Sequence, residues 1–226
     1  MSVSAIATGT NIAALDAGAL KLSPAGREAR VQLLAAIRYL QSVGVSGVAA
    51  NASLRLPDDP TRVLITSRGM PLDLTEDDFG IVDLDGSFVS GRLGPGIRSV
   101  IAMHTNAYAR PGVNAVIHTH SVNATTFAVA HKPIPVHYEP LITRGQTVEI
   151  PVTGYGFRNS GAMVEKLDTL LARNPETRAV LLANHGLLVF HETAKKAADL
   201  VAVIDEAAGL IIRAVALGGS KPIAAA

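Results

Sequence analysis

Apolar positions recur at helical spacing over residues 27–40 and again over about 194–217, and between these stretches the chain breaks into short apolar runs of strand length. Ser23 and Pro24 open the first helix as N-cap and first helical residue, and Gly44 stops it. The last helix is Ala-rich and apolar on one face. Residues 47–56 read as a small-residue turn, Asn51 included, running into an alternating strand, and further strands are predicted over 63–66, 80–84, 115–117, 149–152 and 180–182, with Asp85-Gly86 as a hairpin turn. Further helices are predicted over about 99–108, over 122–130 behind Ser121 as N-cap, and over about 160–171. Residues 91–96 read as a flexible loop, and the Pro-punctuated stretch 133–140 as an edge or loop. Residues 1–22 are small and weakly patterned, which predicts a loosely ordered arm before one α/β domain over 23–226.

Composition narrows this picture. Hydrophobic residues make up 48% of the 226 but aromatic ones only 4%, so the core is built from Ala, Val, Leu and Ile. There is no Cys, which excludes disulfides, thiolate metal ligands and cysteine nucleophiles. A formal net charge of +1 gives no basis for nucleic-acid or phospholipid binding. No apolar run reaches membrane-span length and the N-terminus lacks the pattern of a signal peptide, so the expectation is a soluble, cytoplasmic protein acting on a small molecule.

Two apolar runs end in histidine. Ala115-Val116-Ile117 leads into His118-Thr119-His120, and period-two alternation puts both rings on one face of a strand, about 6–7 Å apart at Cα. Val180-Leu181-Leu182 leads into Ala183-Asn184-His185-Gly186, where Gly186 is expected to let the backbone turn. Three histidines at strand ends describe a catalytic rather than a structural metal site. The alternative is that each ring caps a strand with a hydrogen bond.

Other residues fit around that site. Glu139, in the segment after the predicted HxH helix, is a fourth ligand, a proton carrier, or an exposed loop residue. Tyr155, between Gly154 and Gly156, is a general acid or a packed rim aromatic. Arg68 and Arg98 suit a carboxylate or phosphate, or simply solvent; Asn51 contacts an anion or caps its turn. No dinucleotide or P-loop glycine pattern and no G-x-S-x-G is present, which removes those chemistries.

Asn51-Ala52-Ser53, Ile65 to Gly69, Val82 to Gly86, Tyr108 to Pro111, His118-Thr119-His120-Ser121 and Asn184 to Leu188 follow one another in an order that resembles the class II aldolase/adducin family, over residues 33–217. The resemblance implies a three-layer α/β/α sandwich around a mainly antiparallel sheet, assembled as a homotetramer with sites between subunits. It also implies Zn²⁺, or Mn²⁺, Co²⁺ or Fe²⁺, held by His118, His120 and His185. The family's aldolases carry an acid eight positions before the helix tyrosine, after a Pro-Ser-Ser that binds phosphate. Here that position is Val100, preceded by Gly96-Ile97-Arg98-Ser99. The dehydratase branch also lacks the acid and uses a glutamate after the HxH helix, which Glu139 resembles. Asn51, Thr66, Ser67 and Ser99 then stand as anion contacts, while Arg68 and Arg98 suit a carboxylate substrate. The implied activity is a metal-dependent lyase cleaving a C–C bond, with Glu139 moving the proton. A dehydratase is the alternative reaction, and a non-catalytic adducin-like scaffold the alternative class.

Overall fold

The computed structural model describes residues 14–45, 50–69, 72–98, 100–157 and 161–223. Its strands are Leu15–Asp16 (β1), Asn51–Arg55 (β2), Arg62–Thr66 (β3), Phe79–Asp83 (β4), Phe88–Leu93 (β5), Ala115–Thr119 (β6), Ala179–Leu182 (β7) and Gly186–His191 (β8). Its helices are Pro24–Ser42 (α1), Pro95–Arg98 (α2), Ile101–Ala107 (α3), Val122–Val129 (α4), Glu139–Thr143 (α5), Gly161–Arg173 (α6) and Ala194–Ala214 (α7). The strands form one sheet in the order β1-β5-β4-β3-β2-β6-β8-β7, and every neighbouring pair is antiparallel.

Alternation along the strands splits the core in two. Ala52, Leu64, Ile81, Ala115, Ile117, Leu187 and Val189 pack on one face with α1, α4 and α7. Val63, Ile65, Val82, Val116, Val180, Leu188 and Phe190 pack on the other with α3 and α6. Because side chains of an antiparallel sheet leave it alternately, two hydrophobic layers on one sheet give the expected α/β/α sandwich. No helix among the described residues is long and apolar enough to cross a membrane.

Local signals place the long helices. Ser23 accepts from the Gly26 N–H at 2.9 Å and caps α1, and Thr193 caps α7 through the Lys196 N–H at 3.2 Å. Ser121 occupies the N-cap position of α4, but its side chain makes no cap bond. That role falls to Asp205 of α7, which accepts from the Ala124 N–H and from Asn123 Nδ2, both at 2.9 Å.

Several expectations need correction. Of the supposed loose arm, residues 1–13 lie outside the described residues, but Leu15–Asp16 pairs with Leu93 and Arg92 of β5, and Leu20 and Leu22 pack on the first core. Residues 91–93 belong to β5 rather than to a loop. Gly91 has φ +81°, and a Cβ there would stand 2.5 Å from the Phe79 carbonyl, so a glycine signal hid a strand. The stretch 149–152 supplies only isolated bridges, Ile134 to Ile150 and Val152 to Leu181. Of the small-residue turn, residues 47–49 lie outside the described residues, as does Ser160 at the predicted start of α6, while Asn51 opens β2 instead of belonging to the turn.

Candidate metal centre

Strand β6 lies between β2 and β8, and its fourth residue is His118, paired in register with Asn51 and Leu188. By parity with Val116 its ring leaves the sheet on the α3/α6 side, and His120 follows just past the strand end. His185 comes from the tight β7–β8 turn. There the structure corrects the sequence reading: Gly186 has no left-handed φ and already belongs to β8. Asn184 makes the turn instead, at φ 56°. Its N–H donates to the Ala128 carbonyl at 3.1 Å, and its Oδ1 accepts from His131 Nε2 at 2.5 Å, so the turn is strapped to the end of α4.

Gly186 serves close approach. A Cβ at this position would lie 2.5 Å from the Thr119 carbonyl, 2.8 Å from His120 Cδ2 and 3.2 Å from His118 Cε1. With hydrogen in that place, the three rings converge at centroid separations of 4.8, 4.8 and 5.0 Å, and one ligand atom from each falls within 4.8 Å of the others.

The donor chemistry fits a metal ion. His118 Nδ1–H donates to the Leu187 carbonyl at 2.9 Å, which puts the lone pair on Nε2. That Nε2 stands 3.0 Å from His120 Nε2, a spacing that calls for a shared proton or a shared cation. Burial, then His185 and His120, hold His118 well below the ordinary imidazole value, so it stays neutral and ready to ligate. The three imidazoles could hold a metal ion, and among the described residues no carboxylate joins the group.

The remaining sequence candidates disperse. Glu139 is exposed at the first turn of α5, and Tyr155 is 51% exposed in the loop before α6, its carbonyl taken by Lys166. The buried Thr66 hydroxyl accepts from the Ala52 N–H at 3.3 Å. Ser67 is buried, with its main chain bound to Asp78 and Gly94. Arg68 is held by Asp78 at 2.9 Å and Asp73 at 3.4 Å, so its charge is already met by two carboxylates. Arg98 ends α2, and Ser99 lies outside the described residues. Val100 is 1% exposed in the second core, confirming an apolar residue where the family resemblance puts an acid.

Sequence reasoning missed a further histidine, fully buried beside the cluster's strand neighbour Asn51. His104 on α3 donates from Nε2 to Asn51 Oδ1 at 2.5 Å, while its Nδ1 meets Ser53 Oγ at 2.8 Å; Ser53 Oγ in turn meets Tyr108 Oη at 2.7 Å. The available signal was the i, i+4 spacing of His104 and Tyr108, which puts both on one helix face. Burial pushes His104 down to about 3. The unfolded chain binds a proton below the ordinary value of 6.5 that the folded protein refuses until about 3. The contribution of His104 to stability is therefore complete above 6.5 and lost as pH falls toward 3, at up to about 1.4 kcal/mol per pH unit. Urea midpoints of the metal-free protein, measured across that window, are expected to fall more steeply in wild type than in His104→Gln. Equal slopes would show that His104 does not stay neutral.

Three histidines that could hold a metal ion converge at the ends of β6 and β7 in an antiparallel α/β/α sandwich, and comparison with known proteins gives the family. The chain belongs to the class II aldolase/adducin family: residues 31–212 match the profile of the Class II Aldolase and Adducin N-terminal domain. It is 31% identical over 180 residues to an L-fuculose phosphate aldolase of Haemophilus influenzae, covering 78% of each chain. It is 32% identical over 180 residues to a 5-methylthioribulose-1-phosphate/5-deoxyribulose-1-phosphate aldolase of Rhodospirillum rubrum, covering 78% of this chain and 76% of the relative. The fold is similar to that of a solved L-fuculose 1-phosphate aldolase, with TM-score 0.77 and 22% identity over 90% of this chain and 92% of the other.

Proposed function

We propose that this protein is a divalent-metal lyase that cleaves a C–C bond, by aldol cleavage or decarboxylation, in a small hydroxy-carbonyl or hydroxy-acid substrate. The observation that carries the reading is the neutral, tautomer-fixed His118 facing His120 and His185. Aldolase relatives supply the C–C direction. His118, His120 and His185 would hold the ion, with Zn²⁺ suiting three imidazoles best and Mn²⁺, Co²⁺ or Fe²⁺ as substitutes. When bound, the ion supplies Lewis-acid stabilisation of charge developing on a substrate oxygen. The Asn51 end of β2, with Arg98 and Ser99 before α3, would orient an anionic substrate group. Glu139 would move the proton, and Tyr155 would serve as general acid at the rim. The exposed position of both suits a centre completed between subunits of a homotetramer, in keeping with the exposed apolar residues Val122, Val129 and Leu217.

Buried Val100 favours a second reaction, dehydration, because the acid of the sugar-phosphate aldolases is missing. Product analysis separates the two, since C–C cleavage yields two carbon fragments and dehydration one. Glu139→Gln is expected to keep its metal while turnover drops by about 100-fold or more, as loss of a general acid–base group does. Metal analysis and turnover on sugar phosphates and hydroxy-carboxylates test this, and unchanged turnover would remove Glu139 from the mechanism.

A further inference from the structure

His131 and Asn184 are the two non-glycine residues with left-handed backbone among the described residues, at φ 52° and 56°, and their side chains meet each other. Such conformations are sparsely populated and persist where surrounding contacts impose them. His131 lies one residue past Ala130, the C-cap of α4. Its N–H donates to the Ala128 carbonyl at 3.3 Å, and the Lys132 N–H donates to the Phe127 carbonyl at 3.0 Å. In this paired helix ending the left-handed residue is usually glycine, which adopts the conformation without strain. Here the ring does what glycine could not. Asn184 Oδ1 is an acceptor only, so His131 Nε2–H donates to it, at 2.5 Å. The Ala128 carbonyl takes a second bond on its other lone pair, from the Asn184 N–H at 3.1 Å. Two bonds thus join the last turn of α4 to the residue before His185.

The same helix starts beside another member of the cluster. His120 immediately precedes Ser121, the N-cap position of α4, and Asp205 fixes that end through the Ala124 N–H and Asn123 Nδ2. The eight residues of α4 form a stiff rod about 12 Å long between the two attachments. We infer that His131 is a positioning residue: its ring latches the β7–β8 turn to α4, so that one helix sets where His185 stands relative to His120. The two rings are 5.0 Å apart at their centroids. A metal site tolerates only about 0.2 Å of error in each ligand distance, so a loosened turn would leave three ligands without a common centre. This consequence rests on the lyase reading for its ion, whereas the latch stands on the contacts of the chain itself.

The test compares the full chain with His131→Gly and His131→Gln. Glycine suits the left-handed backbone and removes the ring, while glutamine keeps a donor at comparable reach. In the metal-free proteins, hydrogen exchange of the Asn184 amide is expected to quicken in His131→Gly by roughly threefold to tenfold, the equivalent of one net hydrogen bond. Exchange in β6 and β8 should stay as in wild type, whereas a general loss of stability would quicken it everywhere. Affinity for Zn²⁺, titrated against a chelator, is expected to fall by a similar factor in His131→Gly and to return in His131→Gln. Unchanged Asn184 exchange in His131→Gly would overturn the latch. Faster exchange with undiminished Zn²⁺ affinity would overturn the positioning role, and equal losses in both variants would assign the effect to the helix end instead of the ring. A wild type that takes up none of Zn²⁺, Mn²⁺, Co²⁺ or Fe²⁺ would sink the lyase reading, and the metal-free exchange would still decide the latch.

Discussion

His118→Ala is expected to lose bound divalent metal almost completely and to abolish turnover. The ring it removes is the 1%-exposed member of the cluster and the one whose tautomer is set by a main-chain carbonyl. Removing only an outer hydrogen-bonding partner of a metal ligand costs about 10–100-fold in metal affinity, so removing the best-oriented ligand should exceed that range. The two remaining imidazoles are only partly buried and leave an incomplete donor set. Elemental mass spectrometry on protein purified without a histidine tag reads the result directly. Wild type should carry about one Zn, Mn, Co or Fe per chain, and the variant little, if the site is a three-histidine catalytic centre. Little metal in both, even after reconstitution, would remove the lyase reading and leave the fold as a scaffold.

Gly186→Ala is expected to damage stability and metal binding together. The added methyl would sit 2.5 Å from the Thr119 carbonyl, and a backbone atom in a central strand cannot swing aside as a flexible side chain could. Something must move. The nearest movable groups are the His120 ring at 2.8 Å and the His118 ring at 3.2 Å. Overpacking of this kind costs about 1–3 kcal/mol, which denaturant unfolding of the metal-free protein would detect. If the rings yield, metal affinity falls in the same variant. A stability loss with unchanged metal affinity would mean that β8 moved as a unit and that Gly186 serves the sheet alone.

The sequence reading and the structure agree wherever the signal is local. Ser23 and Pro24 start α1 where capping chemistry places them, and the apolar runs before His118 and His185 are strands whose ends carry the cluster. Disagreement comes where distant contacts decide. Gly91 looked like a loop residue because glycine permits a turn, but its lack of a side chain here admits the β4 backbone. Gly186 was assigned the turn that Asn184 makes, since the reason for glycine lies across the sheet at Thr119. The Asp205 cap on α4 joins positions 81 residues apart, and the His131–Asn184 strap joins positions 53 apart. Neither pairing leaves a local pattern. Arg68 suited a substrate anion by composition, but Asp73 and Asp78 claim it by proximity in space.

Strand order also governs how such a molecule comes into being. The β6 strand pairs with β2, some sixty residues earlier in the chain, and with β8, some seventy later, while the hairpin partners β3 and β4 assemble locally. Pairings of such long range form slowly, because the entropy of closing the intervening chain must be met before any contact rewards it. The three clustered histidines come from the late partners, β6 and the β7–β8 turn. Three imidazoles drawn from such distant stretches meet only once the sheet has closed, so any ion they hold would join a folded protein instead of guiding the chain to its shape.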